Sequence, residues 1–503
     1  MTHMGRGRWL RPFGFRPMIR YYEPGPHTTA NDSEGNDIRM TQRLPRTYNV
    51  RTWGCQMNEA DSQRLASQLE RLGLKHTEDA DAADVVVLNT CVVRQSAEDR
   101  VYGRLGQLKV LKEQDPSKVI GLMGCLVGVR DPLPLRKRFP FVDVFLPPSE
   151  PEPMVDFLAD RGLEQEALAA EADAVAQRHA LQDGDLIIPA HERGQLVSAH
   201  VPVVYGCSHA CAFCIIPFRR GVERSRRIGE IAAEVRSLAA QGVREITLLG
   251  QIVDRYGKDI PDGPTLADLL RTVHQIEGIE RIRFLTSHPN WMTDDLLDAV
   301  AELPKVMPHI EVPAQAGDDV VLERMKRGYT NAQYRALVER IRERIPHVAI
   351  HTDIIVGFPG ETDEQFMETY RLLEDLKLDK AHLAMYSPRP KTVSDRTMED
   401  DVSPEEKKRR LQLLDELQQR VMGEINAQFL GKQVEILVED EHRGKWRGRT
   451  PQNKLVFFEA DGDWRGKIVD VEVTWTGPYS MQARLPGSAE PVAVEELIVV
   501  AAS

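Results

Sequence analysis

Two series of short apolar segments, each alternating with amphipathic segments, constrain the fold of this 503-residue chain more than any other feature. The first series begins at Tyr48 and the second near Ser198. Alternation of strand and helix is typical of βαβ units, whose strands run parallel and whose helices cover the sheet. We therefore expect an α/β protein with two parallel sheets.

The first series predicts an N-terminal parallel α/β domain over residues 47–157. Its apolar runs are short and rich in β-branched residues, as in strands that are buried on both faces. We expect strands at Tyr48–Thr52, Val85–Asn89, Val119–Met123 and Val142–Leu146, and helices at Glu59–Leu72 and at about Ser96 to Leu111.

The second series predicts a central, open (βα)6 partial barrel over residues 198–429. Six strand–helix repeats are too few for a closed eightfold barrel, which takes roughly 250 residues. A long charged helix, Pro404–Leu430, completes this domain. We expect strands at Ala199–Val204, Glu245–Leu249, Arg281–Leu285, His309–Val312, Val348–Val356 and Lys380–Met385, with helices at Ile228–Ala240, Leu266–Ile276, Asp294–Ala301, Val320–Met325, Ala332–Arg344 and Asp363–Leu376.

Composition sets three other segments apart. Residues 1–46 carry Arg, Gly, Pro, Asn and Asp without a sustained apolar period, which predicts a disordered extension. Residues 158–197 are predicted to be an acidic linker, because Leu158–Asp185 is rich in Ala and acidic residues. Residues 430–500 contain alternating β-branched residues, such as Val434, Ile436 and Val438, which predict a small antiparallel β domain.

Composition and charge exclude several function classes. Apolar residues make up 42% of the chain, yet no run approaches the roughly 18 apolar residues of a membrane span. The first residues also lack the apolar core of a signal peptide, so we expect a cytoplasmic protein with no membrane partner. We also expect a monomer. The formal net charge of −12 argues against nonspecific coating of nucleic acid, although a local basic patch can still bind RNA.

Cys207, Cys211 and Cys214 follow the first predicted barrel strand, at the end where the active sites of βα barrels lie. In a reducing compartment, clustered thiols are typical of metal ligands rather than disulfides. Three thiolates can hold three irons of a 4Fe-4S cube and leave the fourth iron open. The alternative is a structural zinc site with His209 as fourth ligand. His209 lies two residues from each flanking cysteine in a tight loop, which is an awkward geometry for a tetrahedral zinc site. The sequence also has no second Cys-x-x-Cys pair.

The spacing C-x-x-x-C-x-x-C, with the aromatic Phe213 before the last cysteine, resembles the signature of the radical SAM superfamily. The resemblance implies that the open iron chelates S-adenosylmethionine and passes one electron to its sulfonium. Cleavage then gives a 5′-deoxyadenosyl radical that abstracts a hydrogen atom from the substrate. We expect Phe213, Gln251 and Gln315 to contact S-adenosylmethionine. The alternative for Gln251 and Gln315 is that they are loop residues without a role in binding.

Cys55, Cys91 and Cys125 each come just after a predicted strand of the first sheet. The carboxyl ends of parallel strands share one edge, so we expect these thiols to converge. A single buried cysteine is usually a small hydrophobic residue. Three of them in equivalent positions predict a second cluster with one open iron, on which a sulfur or methylthio group can be carried.

Several further runs are similar to the methylthiotransferase family of the radical SAM superfamily, over about residues 48–485. Departures from the family pattern at residues 252, 313–318 and 391 leave all six cysteines in place. The runs that carry the resemblance are Thr52-Trp53-Gly54-Cys55-Gln56-Met57-Asn58-Glu59-Ala60-Asp61-Ser62, Leu88-Asn89-Thr90-Cys91-Val92-Val93-Arg94, Met123-Gly124-Cys125, Leu248-Leu249-Gly250-Gln251, Phe284-Leu285-Thr286-Ser287-His288-Pro289, Asp353-Ile354-Ile355-Val356-Gly357-Phe358-Pro359-Gly360-Glu361-Thr362 and Tyr386-Ser387-Pro388-Arg389-Pro390.

This resemblance implies two 4Fe-4S clusters on the six cysteines, and S-adenosylmethionine both as methyl donor and as radical source. The Gln-Met-Asn-Glu run after Cys55 is most similar to tRNA-modifying members, which implies methylthiolation at carbon 2 of isopentenyladenosine next to the anticodon. The implied partners are the tRNA anticodon stem-loop and a reductase, flavodoxin or ferredoxin as electron donor. Two alternatives keep the chemistry but change the substrate, to threonylcarbamoyl-adenosine in tRNA or to an aspartate of a ribosomal protein. A third alternative is an RNA-binding protein with structural metal sites.

Residues 442–467 form a basic segment with seven Lys or Arg against three acids, interleaved with aromatic residues. Basic charge attracts phosphates, and aromatic faces stack on unpaired bases. The alternative is that the aromatic residues fill the core of the small β domain. The segment resembles the TRAM RNA-binding domain, notably at Gly448-Arg449-Thr450 and Asn453. The predicted RNA contacts are Arg443, Lys445, Trp446, Arg447, Arg449 and Lys454.

Overall fold

The computed structural model of the chain describes residues 44–92, 95–163 and 188–487. Residues 1–43 of the predicted extension, 164–187 of the predicted linker and 488–500 of the predicted β domain lie outside the described residues. A parallel sheet, an open barrel and a small closed β barrel follow one another along the chain. In the described ranges, no helix combines the length and the apolar character that crossing a bilayer demands.

The N-terminal domain contains one fully parallel sheet with the strand order β2-β1-β3-β4-β5. All four strands predicted for this domain are confirmed. The additional edge strand, β2, spans two residues and is too short to leave a periodic signal. The strands are β1 (Thr47–Trp53), β2 (Lys75–His76), β3 (Val85–Thr90), β4 (Val119–Gly124) and β5 (Val144–Leu146).

Helices cover both faces of this sheet. Helix α1 (Gln56–Arg71) packs Leu65 and Leu69 on one face, and α2 (Gln95–Gln114) packs Leu105 and Leu108 on the other. Because both faces are covered, β3 and β4 are buried along their whole length. Two short helices that the sequence did not predict follow, α3 (Leu133–Arg138) and α4 (Glu152–Ala159).

The central domain is an open barrel of six parallel strands, and all six predicted strands are confirmed. They hydrogen-bond in two ladders, β6-β9-β10 and β11-β12-β13. Backbone hydrogen bonds from Met307 to Ile282 and from Ser287 to Glu311 join the two ladders. The strands are β6 (Ser198–Pro202), β9 (Glu245–Leu249), β10 (Arg281–Leu285), β11 (His309–Glu311), β12 (Ala349–Val356) and β13 (Lys380–Met385).

The seven helices predicted for this domain are confirmed, and two short helices, Ile216–Arg220 and Val393–Thr397, were not predicted. Capping boxes begin three of them, at Thr265, Thr330 and Thr362. The helices are α5 (Ile216–Arg220), α6 (Ile228–Ala240), α7 (Leu266–His274), α8 (Asp294–Glu302), α9 (Asp319–Arg324), α10 (Asn331–Arg344), α11 (Asp363–Leu376), α12 (Val393–Thr397) and α13 (Pro404–Ala427).

The C-terminal domain is a closed barrel with the strand order β14-β15-β16-β18-β17. Neighbouring strands are antiparallel as predicted, except that β16 and β18 pair in parallel and so close the barrel. Closure removes the exposed sheet edges that a small β domain would otherwise present. The strands are β14 (Gln433–His442), β15 (Lys445–Arg449), β16 (Leu455–Phe458), β17 (Ile468–Thr476) and β18 (Met481–Arg484).

The small barrel docks against the amino ends of the central strands. Arg281, at the start of β10, donates to the Arg449 carbonyl at 2.6 Å and pairs with Glu435 at 2.7 Å. Arg283 donates to the Thr450 carbonyl at 2.9 Å and to Glu245 at 3.0 Å. The small domain therefore closes the end of the open barrel opposite to the one that carries Cys207, Cys211 and Cys214.

Candidate functional site

The carboxyl edge of the N-terminal sheet brings Cys55, Cys91 and Cys125 together. The amide of Cys91 donates to the Trp53 carbonyl at 3.0 Å, and the amide of Cys125 donates to the Thr90 carbonyl at 3.0 Å. These bonds continue the ladders past the last residues of β1, β3 and β4, so the three cysteines stand side by side. The predicted convergence is confirmed.

The three thiols contact one another directly. A hydrogen bond to Cys91 lowers the pKa of the Cys55 thiol to about 6 and that of Cys125 to about 7. Hydrogen bonds to the same two residues raise the pKa of Cys91 above its ordinary value. Thiolates are the form that ligates iron, and the contacts within the triplet favour that form at Cys55 and Cys125 over Cys91.

Buried amides hold the first turn of helix α1, which begins directly after Cys55, against β3. Asn58 donates to Asn89 Oδ1 at 2.8 Å, and Asn89 donates back to the Asn58 carbonyl at 2.8 Å. The Cys55 thiol donates to Asn58 Oδ1 at 3.3 Å. Gly124 adopts φ of +95°, and a Cβ there would lie 2.3 Å from Asn89 Oδ1, so only glycine fits beside this pair. Both asparagines lie in the family-like runs of the sequence, but sequence reasoning missed this role.

The second cysteine triplet lies on a loop framed by the short antiparallel strands β7 (Val204–Tyr205) and β8 (Arg224–Ser225). Cys207 donates its backbone N–H to the Gly221 carbonyl at 3.0 Å, and Cys214 donates to the Cys211 carbonyl at 3.3 Å. Burial raises the pKa of Cys207 to about 11 and that of Cys214 to about 12. Cys207 and Cys214 therefore need a cationic metal centre, or a partner of similar charge, to ionise at neutral pH.

A buried arginine, Arg327, contacts the middle cysteine of this triplet. Its Nη1 donates to Cys211 Sγ at 3.2 Å, its Nε donates to the Tyr329 hydroxyl at 3.0 Å, and its Nη2 donates to the Pro313 carbonyl at 3.3 Å. Arg327 is therefore fixed between the cysteine loop and the loop that follows β11. No motif or spacing in the sequence distinguished Arg327 from other arginines.

His209 gives little support to the zinc alternative. Its Nδ1 lies 3.4 Å from Cys211 Sγ, but its ring packs on His288 with centroids 4.6 Å apart. Among the described residues, no group of three or more His, Cys, Asp or Glu side chains is spaced to hold a single metal ion. A 4Fe-4S cube does not need that spacing, because each thiolate binds a different iron. The donor set of each triplet fits such a cube.

Gln315 carries a feature that points to a ligand. It adopts φ of +69°, which is unusual for a residue other than glycine, and among the described residues its buried Oε1 has no hydrogen-bond partner. Its backbone is fixed by bonds to Asp353 and Ile355, of 2.8 and 2.9 Å. The carboxamide is thus held at the carboxyl end of the open barrel with one acceptor left for a bound molecule.

The other two predicted cofactor contacts differ from Gln315. Phe213 packs on the barrel core, with its ring edge-to-face to Phe358 at 6.5 Å. Gln251 is half-buried in the bend that directly follows β9. Phe213 directly precedes Cys214, and Gln251 comes two residues after the end of β9. Both side chains therefore lie at the carboxyl end of the strands.

Comparison with known proteins agrees with this geometry. Residues 47–147 match the family described as Uncharacterized protein family UPF0004, residues 201–373 match the Radical SAM superfamily, and residues 427–485 match the TRAM domain. The chain is 48% identical to the tRNA-2-methylthio-N(6)-dimethylallyladenosine synthase of Roseiflexus sp. (strain RS-1), over 89% of this chain and 91% of that protein. It is 47% identical to the synthase of the same name from Herpetosiphon aurantiacus, over 88% and 97% of the two chains.

The chain belongs to the tRNA-2-methylthio-N(6)-dimethylallyladenosine synthase family. Among solved structures, a radical S-adenosylmethionine methyltransferase, TsrM, from Kitasatospora setae is similar with a TM-score of 0.50 and 14% identity. The match covers 70% of this chain and 77% of TsrM, and it supports the fold alone.

In this family member, the TRAM domain uses several of the predicted RNA contacts for its own structure. Trp446 is buried in the barrel core, and its indole N–H donates to the Ala460 carbonyl at 3.2 Å. Lys454 is buried against the central domain, where it pairs with Asp379 at 2.6 Å. Core packing and domain docking therefore occupy the side chains of Trp446 and Lys454, whose contact with RNA stays a prediction.

The remaining predicted contacts are more accessible but mostly paired. Arg447 pairs with Asp440 at 2.6 Å, Arg449 pairs with Glu439 at 3.1 Å, and Lys445 pairs with Glu459 at 3.0 Å. Arg443 is exposed in the turn between β14 and β15. The pairing reduces the positive potential that the basic segment can offer to phosphates.

A different basic surface, here called the basic rim, lies beside the cysteine triplets. The Arg138 guanidinium lies 4.3 Å from the Tyr102 ring centroid, and that of Arg130 lies 5.8 Å from the Phe218 centroid. Burial raises the pKa of Glu98, while Arg389, Arg219 and Arg138 around it lower that pKa, which places these three cations about one carboxylate. The rim consists of Arg130, Arg138, Arg219 and Arg389, and the exposed Lys137 adjoins Arg138 in helix α3.

The rim is attached to both cysteine-bearing loops. Arg219 donates from Nη1 to the Leu126 carbonyl at 3.3 Å, directly after Cys125. Ser394, five residues after Arg389, donates its N–H to the Ala212 carbonyl at 2.9 Å, directly after Cys211. A polyanion bound along the rim would therefore lie next to both triplets.

Proposed function

We propose that this protein attaches a methylthio group to carbon 2 of N6-isopentenyladenosine in tRNA by radical chemistry. One observation carries the proposal: six cysteines form two triplets, each at the carboxyl ends of parallel strands, in two adjoining domains. Each triplet supplies three ligands to a cube that normally takes four. The relatives named as synthases of 2-methylthio-N6-dimethylallyladenosine in tRNA support the choice of substrate.

The two triplets divide the chemistry between them. Cys207, Cys211 and Cys214 would hold the cluster that binds S-adenosylmethionine, because Gln315 offers its free acceptor at the same end of the barrel. Cys55, Cys91 and Cys125 would hold the auxiliary cluster that supplies the sulfur. When bound, such clusters contribute one-electron reduction and an open iron site. Gln251 and Phe213 would border the cofactor, with Phe213 acting through packing.

The tRNA would approach over the basic rim. Phosphate contacts give most of the affinity of RNA-binding surfaces, and the rim concentrates cations on a chain whose net charge is −12. An anticodon stem-loop presents closely spaced phosphates beside an unpaired adenosine. Binding along the rim would bring that adenosine to the space between the triplets. Arg443 and Lys445 of the TRAM domain would add contacts farther from the reacting base.

The proposal extends to the setting of the enzyme. We propose a cytoplasmic monomer that receives electrons from a reductase, flavodoxin or ferredoxin, since cysteine thiols stay reduced in the cytoplasm. We also propose domain limits of 47–157, 198–429 and 430–500, with a linker at 158–197 and an extension at 1–46. Size-exclusion chromatography with light scattering tests the monomer.

Anaerobic reconstitution followed by turnover tests the function. Purified protein should contain about eight irons and eight sulfides. With reductant, S-adenosylmethionine and isopentenylated tRNA, it should release 5′-deoxyadenosine and yield 2-methylthio-N6-isopentenyladenosine on nucleoside mass spectrometry. Cys211→Ala and Cys125→Ala should each retain about half of the iron and yield no product.

Two results would overturn the proposal. Methylthiolation of threonylcarbamoyl-adenosine, or of a ribosomal protein, with isopentenylated tRNA left unchanged would assign the chemistry to another substrate. Survival of S-adenosylmethionine with fully reconstituted, reduced protein would mean that the metal centres are structural.

A further inference from the structure

Arg220 belongs to the central domain but inserts its guanidinium into the N-terminal domain. It ends helix α5, six residues after Cys214, and its side chain is 3% exposed. Its Nε donates to Cys125 Sγ at 3.2 Å. One short segment therefore carries a ligand of the second triplet and touches a ligand of the first.

Three further contacts fix the orientation of this guanidinium. Arg220 Nη2 donates to Asp61 Oδ2 at 3.1 Å and lies 3.5 Å from Asn58 Oδ1, while Nη1 donates to Ser149 Oγ at 3.3 Å. Ser149 in turn donates to Asp61 Oδ1 at 2.6 Å. The planar guanidinium is therefore held by a fully buried carboxylate, with its Nε edge presented to Cys125.

We propose that Arg220 is a positioning residue that raises the reduction potential of the auxiliary cluster on Cys55, Cys91 and Cys125 and fixes the two cysteine triplets relative to each other. The inference rests on the proposed function, because it assumes that a cluster binds to those three cysteines. Reduction adds negative charge to a cluster, and a fixed cation that donates a hydrogen bond to a ligand sulfur stabilises the reduced form. Arg220 offers both at 3.2 Å.

Because Arg220 comes from the other domain, this stabilisation depends on correct docking of the two domains. The reduction potential of the auxiliary cluster would reach its full value only when the second triplet lies beside it. The buried Arg220–Asp61 pair, in which neither side chain is appreciably exposed, gives this contact a single geometry.

The chain offers a matched control for domain docking alone. Arg64 of the N-terminal domain pairs with Glu234 of the central domain at 2.6 Å, and Glu234 is 1% exposed. In the part of the chain that the structure describes, this second interdomain ion pair makes no contact with a cysteine. Arg64→Gln therefore breaks a comparable bridge without changing the surroundings of the thiols.

The test is a redox titration that is monitored by electron paramagnetic resonance. The full-length protein carries Cys207→Ala, Cys211→Ala and Cys214→Ala, so that only the auxiliary cluster gives a signal. We expect Arg220→Gln to shift the midpoint potential to more negative values. Arg220→Lys keeps the charge but lacks the Nε donor, so its shift should be smaller in the same direction. Arg64→Gln should leave the potential unchanged.

An unchanged midpoint potential in every Arg220 variant that retains four irons would overturn the inference, as would an equal shift in Arg64→Gln. If Arg220→Gln retains no iron while Arg64→Gln does, the positioning role holds, and Arg220→Lys then decides the effect on potential. Absence of any cluster in the parent triple-alanine protein would instead overturn the auxiliary site of the proposed function.

Discussion

Arg327 Nη1 lies 3.2 Å from Cys211 Sγ, and this hydrogen bond makes Arg327 the counterpart, in the central domain, of the arginine that contacts Cys125. Arg327 is 5% exposed, and it also donates to the Pro313 carbonyl, two residues before Gln315. The cysteine loop and the candidate cofactor contact are thus held by one side chain. A change at Arg327 should therefore affect both.

We expect Arg327→Gln to slow reductive cleavage of S-adenosylmethionine by about 10- to 100-fold, because a charge-assisted hydrogen bond of about 1.5–3 kcal/mol is removed beside the cluster ligand. The measurement is 5′-deoxyadenosine release by reconstituted protein with matched iron content. Arg324→Gln is the control, since Arg324 contacts the Pro359 carbonyl and Gln365 but no thiol. Equal rates in the two variants would mean that the contact of Arg327 with Cys211 does not affect the cleavage of S-adenosylmethionine.

Gly124→Ala should selectively disrupt the first triplet. The alanine would be forced to a φ of +95° with its Cβ 2.3 Å from Asn89 Oδ1, so the cost is about 1–3 kcal/mol of backbone strain in addition to displacement of the asparagine. We expect about half of the iron to be lost, while 5′-deoxyadenosine is still formed. Gly128→Ala is the control, with a similar φ of +73° but its nearest neighbour 3.4 Å away. Loss of iron to the same extent in both variants would contradict the prediction.

The strands and their connections were predictable because their signals are local. Runs such as Val85–Asn89 are short and apolar, and the capping pair at Thr362 is three residues apart, so neither needs knowledge of distant contacts. The convergence of Cys55, Cys91 and Cys125 followed from one general rule, that parallel strands end at a common edge. The sequence therefore sufficed for the fold and for both cysteine triplets.

The surroundings of the cysteines were not predictable because they depend on long-range contacts. Arg220 and Cys125 are 95 positions apart, and Arg327 and Cys211 are 116 apart, and no periodic pattern links them. The burial of Trp446 was not predictable for a related reason. Composition identifies a basic and aromatic segment, but only the strand register shows that this ring points into the barrel core.

Neutralising the basic rim should weaken tRNA binding more than neutralising the TRAM surface. We expect Lys137→Gln with Arg138→Gln to lower affinity for an anticodon stem-loop several-fold and to reduce the salt dependence of binding by about one unit of slope for each phosphate that is no longer neutralised. Fluorescence anisotropy at several salt concentrations measures both. Arg371→Gln, at an exposed site paired with Glu368, should change neither. A larger effect from Arg443→Gln with Lys445→Gln would place the main contacts on the TRAM domain.

Glu311 should make the stability of the protein depend on pH. Burial, and then the neighbouring Asp353 carboxylate, raise the pKa of Glu311 to about 8, although Lys380 opposes them. Between its ordinary pKa of about 4.5 and about 8, the folded protein therefore holds a proton that the unfolded chain releases. Because the folded state binds more protons in this window, the free energy of unfolding attributable to Glu311 falls as pH rises.

We expect Glu311→Gln, which keeps the neutral form at every pH, to flatten this dependence. Its stability relative to the parent protein should increase from pH 5 to pH 8, as measured by urea denaturation of the metal-free chains at both values. Glu302→Gln is the control, because Glu302 is exposed at the end of helix α8. A constant difference between Glu311→Gln and parent across this range would mean that Glu311 ionises in the folded protein as readily as it does in water.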